Sequence, residues 1–134
     1  MSIRPHIYLL VGLGSGLGAS LRLLLSVWLH QPDVLWPWAT FLVNLFGSVF
    51  IGFYATMAGA SGRWQVSEAQ KQFVLAGFCG GFTTFSLFSL DWLQLMLAGA
   101  VGWASGYVLI SLCSWLLAVW LGYKLAQCYS VRVG

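Results

Sequence analysis

The sequence predicts an all-α integral membrane protein of four spans, and three observations carry this. Only 7% of the 134 residues are charged and 60% are hydrophobic, whereas a soluble domain is about 25% charged because charge covers its water-facing surface. The apolar residues fall into four runs, each long enough to supply the ~20 residues that cross the hydrocarbon of a bilayer. No period-2 alternation of the barrel type runs through them, which leaves helices, whose backbone groups are satisfied within one segment. A soluble enzyme is excluded on the same grounds. The net charge of +3 is scattered along the chain and lacks the clustered basic face that nucleic acid requires. Four spans leave room for short loops and tails, so residues 1–134 are expected to form one transmembrane domain.

The first span is read over residues 7–29, Ile7 to Leu29, interrupted only by Arg22. It is longer than a usual signal-peptide core and no clear small-x-small site follows it, so a span rather than a leader is expected. His30-Gln31-Pro32-Asp33 breaks the pattern and marks a loop. The second span covers 36–60 and opens on Trp36-Pro37-Trp38, two aromatics suited to the membrane interface. Ser61 to Gln72, carrying Arg63, Glu68 and Lys71, is the one properly polar stretch. The third span is read over 73–99 and the fourth over 101–126, leaving a turn of only a few residues between them. Four spans place both termini and the middle loop on one side. That side holds Arg4, Arg63, Lys71, Lys124 and Arg132, five of the six positive residues, and the positive-inside rule makes it cytoplasmic.

Glycine is abundant, 16 of 134 residues, against an average near 7%. Gly12-Gly16, Gly14-Gly18, Gly77-Gly81 and Gly102-Gly106 all have GxxxG spacing, which lets helix backbones approach closely in lipid. Any single pair is accounted for by packing within one subunit; together they imply a tightly packed bundle. Four short helices enclose little interior, so a working pathway calls for a homo-oligomer, most simply a dimer. Cys79, Cys113 and Cys128 form neither a CxxC pair nor a Cys/His cluster and read as packing residues.

Polar groups inside a span are costly unless paired or facing water, so each demands an explanation. Asn44 lies in the middle of span two; alone, it is equally well explained by a hydrogen bond to a neighbouring helix. Span three contains Gly80-Gly81-Phe82-Thr83-Thr84-Phe85-Ser86-Leu87-Phe88-Ser89. Two glycines followed by two β-branched threonines make a poor uninterrupted helix, and a break there would free carbonyls, which suit hard cations. Phe85 and Phe88 share one helical face, and Ser86 and Ser89 an adjacent one. Span four adds Tyr107, Ser111 and Ser114 at i, i+4 and i+7, a stripe that back-bonding to its own helix would also explain.

Amide, hydroxyl and phenol groups all donate hydrogen bonds, and aromatic rings carry a positive edge. Such a lining is neutral and favours a small anion. Near the break the one carboxylate is Asp91, about two turns on, so no titrating acid marks a proton-coupled cation pump.

Asn44, the Gly80-to-Ser89 run and Gly18-Ala19-Ser20-Leu21-Arg22 in span one together resemble the CrcB/Fluc fluoride channels, over the whole chain in length, span count and motif order. The resemblance implies a fluoride-selective passive channel of the bacterial inner membrane that lets cytoplasmic fluoride leave. It further implies a dual-topology homodimer, its subunits antiparallel, with two separate pores. A structural sodium ion on the dimer axis would be held by the backbone carbonyls of Gly80 and Thr83 of both subunits. The fluoride pathway would use Asn44, Thr84, Phe85, Phe88 and Ser111, with Arg22 at a vestibule. Two departures stand out. Leu87 occupies a place where the family usually has Thr, so any hydroxyl role there is missing. The bias of positive charge also runs against dual topology, which is expected where that bias is weak.

Two other readings compete. A small multidrug exporter would need an acid in the first span, which residues 7–29 lack. A non-transporting assembly protein would use the Gly and Ser stripes for packing alone. An enzyme is the weakest reading, because His6 and His30 have no nucleophile or ligand cluster nearby.

Overall fold

In the computed structural model, residues 5–29, 35–59 and 62–132 are described, residues 131 and 132 by backbone alone. Arg4, the loop residues His30, Gln31, Pro32 and Asp33, Ala60, Ser61 and the side chain of Arg132 lie outside that description.

Among the described residues every regular element is helical: α1 (Pro5–Trp28), α2 (Trp38–Met57), α3 (Glu68–Gln72), a π-helical stretch (Phe73–Cys79), α4 (Gly80–Phe82), α5 (Ser86–Leu97) and α6 (Val101–Arg132). Among the described residues, four segments are long and apolar enough to cross a membrane: Pro5–Trp28, Trp38–Met57, Glu68–Leu97 and Val101–Ser130. The third starts within the stretch read as polar loop. Ser67 caps it: its Oγ accepts from the Gln70 N–H at 3.2 Å while the Gln70 side chain accepts from the Ser67 N–H at 2.9 Å, a reciprocal capping box. Glu68 and Lys71 therefore ride on the first turn of the helix. Spans three and four are joined through Gly99, whose φ of +74° is left-handed; its N–H closes onto the Met96 carbonyl at 3.0 Å, and glycine takes this conformation without a Cβ penalty.

Two close helix pairs build the bundle. Span three lies on α1, and α6 lies on α2. A Cβ on Gly18 would run into the carbonyl oxygen of Phe78, and one on Gly81 into that of Ser15. Gly14-Gly18 and Gly77-Gly81 thus interlock with each other, and Ser15 Oγ adds a hydrogen bond to the Gly77 carbonyl at 3.3 Å. Gly52 and Gly122 do the same for α2 and α6, against the Val119 and Val49 carbonyls. The other two GxxxG pairs differ: at Gly12, Gly16, Gly102 and Gly106 an added Cβ meets open space. Packing within the chain accounts for half of the motif pairs, because Gly12, Gly16, Gly102 and Gly106 stand where no other part of the described chain comes near.

At one end of the bundle, Leu10, Tyr54, Val66 and Phe73 line a single cleft, and Arg63 Nη1 donates to the Ser130 carbonyl at 2.9 Å. The start of α1, the middle loop and the end of α6 therefore share that end, as four spans require, and Lys124 sits there over the rings of Trp120 and Tyr123. The opposite half holds a core of Phe88, Leu95, Ala104 and Tyr107, flanked by Trp36, Phe41 and Trp115. Of the cysteines, all free, Cys79 packs inside, whereas Cys113 and Cys128 are exposed on the single chain.

Candidate functional site

The third helical run stops between Phe82 and Ser86. Thr83 is extended (φ −76°, ψ 154°), and its N–H and Oγ1 both donate to the Cys79 carbonyl at 2.9 Å. In a continuous helix the Thr84 N–H would go to the Gly80 carbonyl. Here it goes to Asn44 Oδ1 at 2.7 Å, and Asn44 Nδ2 donates to the Thr84 carbonyl at 2.8 Å. Both residues are buried. The amide of α2 thus replaces one rung of the interrupted helix. Thr84 Oγ1 accepts from the Leu87 N–H at 3.2 Å and lies 3.2 Å from Ser86 Oγ, so its side chain caps α5 as its backbone leaves α4.

The break frees further carbonyls. Gly81's accepts from Arg22 Nε at 3.2 Å, and Arg22 also lines an open cleft with Ser20, Ser26 and Leu87. The carbonyls of Gly80 and Thr83 have no donor among the described hydrogen bonds, and Gly80 is exposed on the surface of the chain. Among the described residues no cluster of three His, Cys, Asp or Glu side chains could hold a metal. A cation at the break would therefore rely on carbonyl oxygen, a donor set that suits a hard ion.

Phe85 opens α5 with its side chain 71% exposed, whereas Phe88 is buried at 5%. Their ring centroids lie 5.5 Å apart. The ring series continues: Phe88 lies 5.1 Å from Tyr107, and Tyr107 5.3 Å from Trp36, with the last two rings perpendicular. The Tyr107 hydroxyl donates to Asp91 Oδ2 at 3.3 Å, and Thr40 neighbours that pair. Ser111, one turn along α6 from Tyr107, is fully buried. Its hydroxyl and the Trp36 indole N–H are both buried without a partner among the described residues.

The structure thus brings Asn44, Thr84, Phe85 and Phe88 together at the break, places Gly80, Thr83 and Arg22 around it, and sets Ser111 beyond Tyr107. Two participants escaped sequence reading. Thr40 sits one helical turn before Asn44, a spacing that could have signalled it. Trp36 reads from sequence as an interface aromatic; that description fits Trp38, 44% exposed, whereas Trp36 turns inward onto Tyr107. Ser89 does not join the site: its Oγ bonds back to the Phe85 carbonyl at 3.0 Å.

The family model described as "CrcB-like protein, Camphor Resistance (CrcB)" matches residues 9–123. The chain is 44% identical over 120 residues to a protein of Methylocella silvestris named fluoride-specific ion channel FluC, covering 89% of this chain and 92% of that one. It is 46% identical over 126 residues to fluoride-specific ion channel FluC 1 of Rhodopseudomonas palustris, covering 92% and 88%. A protein of Rhodospirillum rubrum bearing the FluC name is 41% identical over 117 residues, covering 87% of this chain and 91% of that one.

Proposed function

This chain belongs to the CrcB family, and from that premise we propose that it is a fluoride-selective passive channel releasing fluoride from the cytoplasm. It is a multi-pass protein of the bacterial membrane, not an enzyme, with four apolar spans and relatives named as fluoride-specific channels. The observation that carries the reading is the interrupted third span. There the buried Asn44 and Thr84 pair with each other beside the Phe85 and Phe88 rings, the unpartnered Ser111 hydroxyl stands one turn along α6 from Tyr107, and the one cationic side chain at the break, Arg22, is held on the Gly81 carbonyl. Fluoride is small and tightly hydrated. Neutral donors and ring edges replace its water closely enough to admit it and weakly enough to release it.

The pathway residues are Asn44, Thr84, Phe85, Phe88 and Ser111, with Arg22 at the mouth of the adjoining cleft. Phe85, 71% exposed on one chain, supports a pathway completed by a second copy, as do the unoccupied Gly12 and Gly16 positions of α1. We read the assembly as an antiparallel, dual-topology homodimer embedded in lipid. The carbonyls of Gly80 and Thr83 fit a sodium ion shared between the copies, where its charge would draw the two breaks together.

Purified protein in liposomes, followed with a fluoride electrode, tests this directly. Fluoride efflux without matching chloride efflux is the expected result. Equal release of both ions, or of neither, overturns the reading.

A further inference from the structure

Two buried donors lack an acceptor among the described residues, Ser111 Oγ and Trp36 Nε1. Ser111 already belongs to the pathway; Trp36 has no role in it. A hydroxyl can turn and can also accept, but an indole N–H is a donor only, and leaving it unpaired and buried is unfavourable. Its position gives the missing acceptor a chemistry. Trp36 stands perpendicular on Tyr107 at 5.3 Å, Tyr107 lies 5.1 Å from Phe88, and Phe88 5.5 Å from Phe85. Trp36 is therefore connected through ring contacts to the phenylalanine pair at the break. The Tyr107 hydroxyl donates to Asp91 at 3.3 Å, so its proton is engaged and the Trp36 N–H is the neighbouring donor left free among the described residues.

We propose that the Trp36 indole N–H donates a hydrogen bond to the permeating anion at the Asp91–Tyr107 end of the pathway. The assignment rests on the fluoride-channel reading. The ring contacts with Phe41 and Trp103, at 5.9 and 6.3 Å, hold the indole in place, so its donor is set before the ion arrives. Fluoride, the most basic halide, gains most from such a charge-assisted bond, and chloride gains less.

The test follows the indole N–H resonances of ¹⁵N-labelled full-length protein in lipid nanodiscs as sodium fluoride or sodium chloride is added. The Trp36 signal is identified by its absence from Trp36→Phe, or from Trp36→Tyr if the first variant does not fold. The signal is expected to move with fluoride and not with chloride. In liposomes, Trp36→Phe keeps an aromatic ring and loses the donor, and the efflux of the folded variant is expected to fall roughly tenfold, about one charge-assisted hydrogen bond. A stationary Trp36 signal, or one moved equally by chloride, gives the donor an acceptor other than fluoride and overturns the proposal. So does a folded Trp36→Phe with wild-type efflux. A wild-type protein that passes no fluoride overturns the channel reading itself and the proposal with it; a conducting wild type with a stationary Trp36 signal overturns the Trp36 assignment alone.

Discussion

The side-chain amide of Asn44 pairs with both backbone polar groups of Thr84, donating to its carbonyl at 2.8 Å and accepting from its N–H at 2.7 Å. One side chain on α2 thereby holds the interruption of the third span in a single geometry. It also positions the Thr84 hydroxyl as the cap of α5 and, through it, the start of the helix that carries Phe85 and Phe88. In lipid no water takes over these groups if the amide is withdrawn.

Asn44→Ala is expected to strand two buried backbone groups, at about 1–3 kcal/mol each. Thermal unfolding in detergent should show a clear drop in melting temperature, accompanied by loss of fluoride efflux. Asn44→Asp keeps the acceptor for the Thr84 N–H and loses the donor, so its melting temperature should fall between those of wild type and Asn44→Ala. An Asn44→Ala protein as stable as wild type would show that the pairing with Thr84 contributes nothing.

Phe85 and Phe88 should separate stability from transport. Phe88 is buried against Tyr107 and Trp115, and Phe88→Ala is expected to cost about 3–5 kcal/mol. Phe85 is exposed on the single chain, so Phe85→Ile should leave the unfolding of the subunit nearly unchanged while lowering fluoride efflux. Equal efflux from Phe85→Ile and wild type would remove that ring from the pathway.

Tyr107→Phe deletes the donor that faces Asp91. Hydrogen bonds to charged groups contribute about 1.5–3 kcal/mol, and a loss of that order is expected from Tyr107→Phe. Asp91→Asn should make the later Tyr107→Phe change less costly. A double-mutant cycle on unfolding free energies reads this coupling, and a coupling of zero would mean that the two side chains act independently.

Gly18→Val and Gly12→Val form a matched pair on one helix. The first drives a side chain into the Phe78 carbonyl, and the second meets open space. Gly18→Val is therefore expected to fail to fold or to aggregate in size-exclusion chromatography. Gly12→Val should retain a folded subunit, and a shift of its elution towards the monomer would place the second copy on that face of α1. Identical behaviour of the two variants would contradict the observed packing of α1 on span three.

The four spans and the interruption of the third were determined by local composition. Runs of apolar residues scarcely interrupted by charge have no alternative in lipid to forming helices, and Gly80-Gly81 followed by Thr83-Thr84 disfavours helix wherever it is placed. The convergence of Asn44 with the break was legible as chemistry but not as contact, because its partner lies 40 residues away and nothing in the intervening chain specifies the register of α2 against span three. Close packing decided that register: Gly47 meets the Thr83 and Phe82 side chains, and Gly14 and Gly18 admit the π-helical stretch and α4. The same packing chose which GxxxG pairs interlock, turned Trp36 inward while Trp38 stayed outside, and set Tyr107 against Asp91. A sequence period fixes the face on which a residue stands; which neighbour fills that face depends on how closely two backbones can approach, and only the assembled bundle determines that distance.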